Sequence, residues 1–254
     1  MNAERAEAQF WAAFLRNRNV DAGTADDGAL PVAGGYAIYV KDTYYKLALA
    51  AGSARPLRAD DLALVGEFYG RRGEIARLEI EDEVYRRDRA VLEEAGFAPA
   101  DLVLARYDAP SAPEPPADRD GVVARAVQDR AAWVRLVGRA FAEGRTPDEE
   151  TRRSHELSAA AAHGLFVAEV GGVPAGAGAV AVFNGIAFLY AGAVLPEFRR
   201  RGVHRALLRA RTAFGASRGA WRTTIKTEDG SVAAIAVERA GFERAATIRR
   251  LNHG

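Results

Sequence analysis

Between Leu165 and Leu195 three apolar runs are divided by two dipeptide turns, and this spacing constrains the fold more than any other feature of the chain. "LFVAEV" (165–170) precedes Gly171-Gly172, "PAGAGAVAVF" (174–183) precedes Asn184-Gly185, and "IAFLYAGAVL" (186–195) follows. Gly-Gly and Asn-Gly tolerate positive φ at both central positions and so close two-residue hairpins. The pattern predicts three strands, the middle one antiparallel to both neighbours. The third is almost wholly apolar, as expected at the centre of a sheet covered on both faces.

The surrounding sequence alternates helix and strand. "VVARAV" (122–127) reads as a strand, and "DRAAWVRLVGRAFAEG" as a helix with Trp133, Leu136, Val137, Ala140 and Phe141 on one face. A second helix starts at Pro147 among acids and stops at Gly164. After the meander come a helix from about Gly202, a strand "WRTTIKT", a helix "SVAAIAVERAGF" and a strand "RAATIRRL". The order β-α-α-β-β-β-α-β-α-β predicts an α+β (mixed α/β) domain, a mixed sheet flanked by helices.

Upstream, "APSAPEPPADRDG" carries Pro110, Pro113, Pro115 and Pro116 and reads as a linker over 110–121. It divides a first domain, 1–109, from a second, 122–254. Charge changes sign there. Residues 1–110 hold 14 basic and 19 acidic side chains, and the remainder 21 basic and 15 acidic, so the second domain is the better host for an anion. The first domain predicts an amphipathic helix using Phe10, Trp11, Phe14 and Leu15. A hairpin around Lys41-Asp42-Thr43, a helix near Asp60, a strand "EIARLEI", a helix "VYRRDRAVLEEAGF" and a strand "DLVLARY" follow. "AVLEEAGF" (90–97) echoes "IAVERAGF" (235–242), each ending a helix with Gly-Phe before a strand, which points to a duplicated fold.

The chain has no cysteine, which excludes disulfides, thiolate nucleophiles and Cys-based zinc sites. Its opening residues, with Glu4 and Glu7, make a poor signal peptide, and no apolar run reaches spanning length, so a cytoplasmic protein is expected, with no membrane partner.

"PEFRRRGVHRALLRA" (196–210) places three arginines and a glycine between the predicted central strand and a helix. A helix start presents unpaired N–H groups and partial positive charge. Gly202 permits close approach of a ligand to the backbone. Such a loop holds a pyrophosphate with main-chain donors while arginines add charge. An exposed basic turn and a nucleic-acid patch are the two other readings of the same run. The loop's place at the carboxyl end of a strand, where open sheets bind ligands, favours the first.

From about Val122 to Leu251 the sequence resembles the GNAT superfamily of acetyl-CoA-dependent N-acyltransferases. Arg199-Arg200-Arg201-Gly202-Val203-His204 is similar to the family's Gln/Arg-x-x-Gly-x-Gly/Ala loop, and "AVERAGF" to its later helix ending in Gly-Phe. The resemblance implies that the main chain from Arg200 to Arg205 cradles the pyrophosphate of acetyl-CoA. It also implies that Ala193, Val194 and Leu195 bond the pantetheine arm beside a splayed strand. His204 departs from the small residue usual there, with its ring expected to point outward. Gly230 stands where asparagine is common, and Val237 where a tyrosine often protonates the leaving thiolate.

Direct transfer needs a positioned free amine, an oxyanion donor and a base. The expected donor is a backbone N–H near Val194 or Leu195. Tyr190 is the one titratable side chain of the central strand, and Glu228 is the nearest acid by topology, with a solvated turn residue as its other reading. Glu169, His155 and His163 are weaker candidates. The first domain is expected to be a degenerate GNAT-like copy. The step from Gly241 back to Gly202, taken from Gly96, lands at Leu57, where Asp60-Asp61 would repel a phosphate.

The expected activity is acetyl transfer from acetyl-CoA to a primary amine on a small molecule, without a metal and without nucleic acid, in a monomer or homodimer. A non-catalytic acyl-CoA-binding sensor is the alternative, raised by Val237.

Overall fold

The computed structural model describes residues 2–22, 27–111, 121–143 and 145–254. They fall into two compact units, residues 1–106 with Ala245–Gly254, and Tyr107–Arg244.

The first unit begins with α1 (Ala3–Ala22), whose Phe10, Trp11 and Leu15 are buried. Then come β1 (Gly28–Val32), β2 (Gly35–Tyr39), β3 (Lys46–Leu49), α2 (Ala59–Gly70), β4 (Arg77–Glu81), α3 (Asp82–Glu94) and β5 (Phe97–Pro110). β1 pairs antiparallel with β2, β2 antiparallel with β3, and β3 parallel with β4. β1 was not expected from the sequence. It contains Pro31 and lies at the sheet edge, where a missing N–H costs no ladder bond. The core is built on Leu62, Tyr69, Leu78, Ile80, Leu92 and Phe97. The Tyr69 hydroxyl is satisfied by the Ile38 carbonyl at 2.9 Å.

The second unit contains β6 (Val122–Val127), α4 (Arg130–Phe141), α5 (Glu149–Ala161), β7 (Gly164–Val170), β8 (Val173–Phe183) and β9 (Ile186–Val194). A 3₁₀ turn (Pro196–Phe198), α6 (Val203–Ser217), β10 (Arg222–Glu228) and α7 (Val232–Arg239) follow, and β11 (Glu243–His253) closes the chain. Asp129, Asp148 and Ser231 cap α4, α5 and α7 with their side-chain oxygens. The meander forms as the turn dipeptides require: β6–β7, β7–β8 and β8–β9 are antiparallel, and β9–β10 is parallel. The strands run β10-β9-β8-β7-β6, with the end of β5 beside β10 through a Ser111–Trp221 backbone bond of 3.2 Å. Phe141, expected on the buried face of α4, is half exposed and stacks on the His155 ring instead.

The units differ from the expected division in two respects, the first being that residues 107–109 group with the second unit. Residues 245–254 of β11 complete the first unit, pairing antiparallel with β4 from Ile248↔Glu81 to Asn252↔Arg77. Ile248 and Leu251 are wholly buried there, and Arg249 and Arg250 pair with Asp82 and Glu79. Most of the Pro-rich stretch, 112–120, lies outside the described residues. The two halves of the chain share one order in sequence, helix-strand-strand-strand-helix-strand-helix-strand, and the second adds β6 and α4 in front. The match extends to strand direction, two antiparallel contacts followed by a parallel one.

Candidate functional site

The sheet of the second unit opens between β9 and β10. The pair is in register from Ile186↔Arg222 to Leu189↔Ile225 and stops there, although β9 runs on to Val194 and β10 to Glu228. On its other edge β9 carries a bulge. Ala177 faces Ala193, but Ala179 faces Tyr190, so β9 holds one residue more than β8 in that interval. Ala191 takes the strain, with φ 48° in the left-handed region that a Cβ disfavours.

Past the gap the chain turns through Pro196–Phe198 and Arg199–Gly202 into α6. Gly202 stands at the helix N-cap with φ 82°, a conformation glycine supplies without strain. No side chain caps this start, in contrast to α4, α5 and α7, so its first-turn N–H groups are left for an external acceptor. The three arginines differ. Arg199 is held by Glu143 at 2.7 Å, Arg201 lies over the Phe198 ring, and Arg200 and Arg201 meet no carboxylate among the described residues. Arg205 is exposed one helical step further on.

Several expected roles change. The Leu195 N–H donates to Ala175 at 2.9 Å and is no longer a free donor. Successive N–H groups leave a strand by opposite edges, so that of Val194 faces the gap. His204 does not point outward: its Nδ1 is buried without a partner, and burial lowers its pKa to about 4, so the ring is neutral. The Tyr190 hydroxyl donates to the Ser158 carbonyl of α5 at 3.2 Å, and burial raises its pKa well above the ordinary phenol value. A phenol so held is no base at neutral pH. Glu228 ends β10 at the mouth of the gap, exposed, with no ion pair among the described residues. Val237 is wholly buried and donates nothing. Glu169 pairs with Arg125 on the β6–β7 ladder, and His163 accepts from the Val182 N–H at 2.9 Å, so neither is free for the reaction.

Three residues escaped the sequence reading. Thr227, in the splayed part of β10, buries an unpartnered Oγ1. Ala191 forms the bulge. Arg211 of α6 is wholly buried, donating from Nε to Leu207 at 3.0 Å and from Nη1 to Ala179 and Tyr190, each at 3.2 Å. Its signal was present, since it lies four residues after Leu207 on the buried stripe of the helix. Thr227 and Ala191 gave none.

The corresponding turn of the first unit is filled by its own side chains. At the start of α2, Asp61 accepts from the Arg58 N–H at 2.9 Å and takes both Arg55 nitrogens, while Asp88 accepts from the Leu57 N–H at 3.0 Å. Beyond the last β3–β4 pair the Ala50 N–H still reaches Glu79 at 3.0 Å, so no gap opens between those strands at that level. Among the described residues no group of three or more His, Asp and Glu could hold a metal ion, and no helix is long and apolar enough to cross a membrane.

The second unit is thus a mixed α/β domain in which an uncapped helix start lies beyond a pair of strands that are first paired in parallel and then parted. Residues 130–242 match the model of the acetyltransferase (GNAT) family. The whole chain is similar in structure to a GCN5-related N-acetyltransferase from Kribbella flavida, at 18% identity and TM-score 0.67, over 100% of this chain and 96% of that one. A tandem GNAT protein from the clavulanic acid biosynthesis pathway matches at 16% identity and TM-score 0.57, over 81% of this chain and 74% of that one. The first unit repeats the order of elements and the strand directions of this fold. No curated protein matches the sequence.

Proposed function

We propose that the protein transfers an acetyl group from acetyl-CoA to a primary amine, on a small molecule, by direct attack with both substrates bound. The observation that carries this reading is the uncapped start of α6 at Gly202, set directly beyond the gap between β9 and β10. The N–H groups from Arg200 to Arg205 hold the pyrophosphate, with Arg200, Arg201 and Arg205 adding charge. The backbone groups of Val194, which face the gap, bond the pantetheine arm as an added strand would, while those of Ala193 are turned towards β8. Acetyl-CoA supplies the activated thioester carbonyl. The chain's part is to fix that carbonyl beside the amine, to offer an N–H to the oxygen as negative charge develops there, and to take the amine proton. Glu228 at the mouth of the gap is the base, directly or through water. The Tyr190 phenol keeps its proton and orders the central strand against α5. The departing thiolate takes its proton from water, since Val237 has none to give. The first unit, its helix start occupied by Asp61 and Asp88, binds no CoA.

The wholly buried Val237 favours one second reading, a sensor that binds acyl-CoA without turnover. Thermal melting with acetyl-CoA tests the shared premise: at a hundred times its dissociation constant the ligand adds about 2.7 kcal/mol. The Gly202→Glu variant is expected to lose this shift, because its carboxylate repels the diphosphate. A wild-type protein with no shift overturns both readings. CoA release over a panel of amines then separates them: the transferase releases CoA only with acceptor, and Glu228→Gln slows that release, whereas the sensor releases none.

A further inference from the structure

Arg211 is a cation with no carboxylate partner among the described residues, and its Nη2 is buried without any hydrogen-bond partner. An apolar side chain at that place would be less costly to the fold. The surroundings are shaped to accept it nonetheless. A methyl added at Gly178 would lie 2.7 Å from the guanidinium carbon, and one at Gly192 would lie 3.1 Å from Nη2. Next to Gly192, Ala191 carries the backbone strain of the bulge. Two glycines, a left-handed alanine and an uncompensated guanidinium therefore converge on one point of β9.

That point is where pairing with β10 has just ended. Nη1 bonds the carbonyls of Ala179 and Tyr190, which face each other across β8 and β9, so the Tyr190 carbonyl is directed towards β8. The Tyr190–Ala191 peptide is trans, which turns the Ala191 N–H to the opposite edge, into the gap. A donor on the carbonyl of a peptide strengthens the N–H of the same peptide, since hydrogen bonds in series polarise one another.

Resting on the acyltransferase reading, we propose that Arg211 is a positioning residue for acyl transfer: it fixes the β9 bulge and polarises the Tyr190–Ala191 peptide, presenting the Ala191 N–H to the thioester oxygen. Val194, three residues on, is left to the pantetheine arm. The guanidinium touches neither substrate. It acts through the peptide plane.

The test is the infrared carbonyl band of acetyl-CoA, carbon-13 labelled at the thioester carbonyl and bound to the wild-type protein, Arg211→Lys and Arg211→Met. The expected result is a band at lower frequency in the wild-type complex than in free solution. The displacement shrinks in Arg211→Lys and is lost in Arg211→Met, while affinity for acetyl-CoA, set at the Gly202 loop, changes little. A merely structural Arg211 gives weaker binding or lower melting temperature with the wild-type band position retained, and that outcome overturns the proposal. If Arg211→Met fails to fold, Arg211→Lys and Gly178→Ala, whose methyl displaces the guanidinium, are read in the same way. A wild-type protein that takes up no acetyl-CoA overturns instead the acyltransferase reading beneath it.

Discussion

His155 and His204 are both held neutral in the second unit, because burial lowers the pKa of each ring to about 4. In the unfolded chain each returns to the ordinary value of 6.5. Between these values the unfolded chain binds protons that the folded one refuses, so stability is full above about pH 6.5 and falls as pH drops towards 4. The loss is on the order of 3 kcal/mol at most for each ring. Urea unfolding at stepped pH is expected to show this slope, and His155→Leu to flatten part of it. Gly215 makes a second residue-scale prediction. A methyl there would lie 2.5 Å from the Ala187 Cβ on β9, so Gly215→Ala should destabilise by about 1–3 kcal/mol in urea. Residue types and helical period were enough to place Gly202 at a helix start and to bury Trp133 and Leu207. They did not reveal that Leu195 is spent on Ala175, that His204 turns inward, or that Tyr190 is tied to Ser158. Each of those facts depends on a partner from a distant element. Arg211 stood on a legible stripe, but a charge on such a stripe reads as a break in it until the carbonyls around it are seen.

Among elements, the meander was the most legible, since Gly171-Gly172 and Asn184-Gly185 dictate hairpins by backbone conformation alone, and all four residues adopt positive φ. β1 was the least legible, a five-residue edge strand interrupted by proline. The gap between β9 and β10 could only be inferred by resemblance, because strands part through an absence of pairing that neither sequence declares. The start of α2 was read correctly as acidic, and its physics is now specific: Asp61 binds Arg55 and accepts from the Arg58 N–H, which together hold its carboxyl below the ordinary value. Asp61→Ala is expected to cost about 1–2 kcal/mol on urea unfolding. Its contribution is full above the ordinary carboxyl range and is lost as pH falls through the lowered folded value.

For the whole molecule, the basic excess of the sequence falls after residue 110, where Arg200, Arg201 and Arg205 flank an uncapped helix start. The division into units was only half legible. Pro-rich composition marks where a linker lies, but it carries no information about which sheet a strand joins. Ile248 and Leu251 alternate with Arg249 and Arg250, a period that fits any half-buried partner. Removing residues 245–254 deletes two wholly buried side chains of the first unit, Ile248 and Leu251, each worth roughly 2–5 kcal/mol, and breaks the ion pairs to Glu79 and Asp82. A domain's total stability is only about 5–15 kcal/mol. The truncated protein is expected to lose cooperative melting of that unit. Hydrogen exchange should report it as lost protection at the amides of β4, which pairs with β11. This strand also imposes an order on biosynthesis. A nascent chain that has already emerged through Glu94 holds most of the first unit, yet it stays incomplete on the ribosome until translation has passed Leu251. The half that carries the open helix start is therefore made before the half preceding it can finish folding.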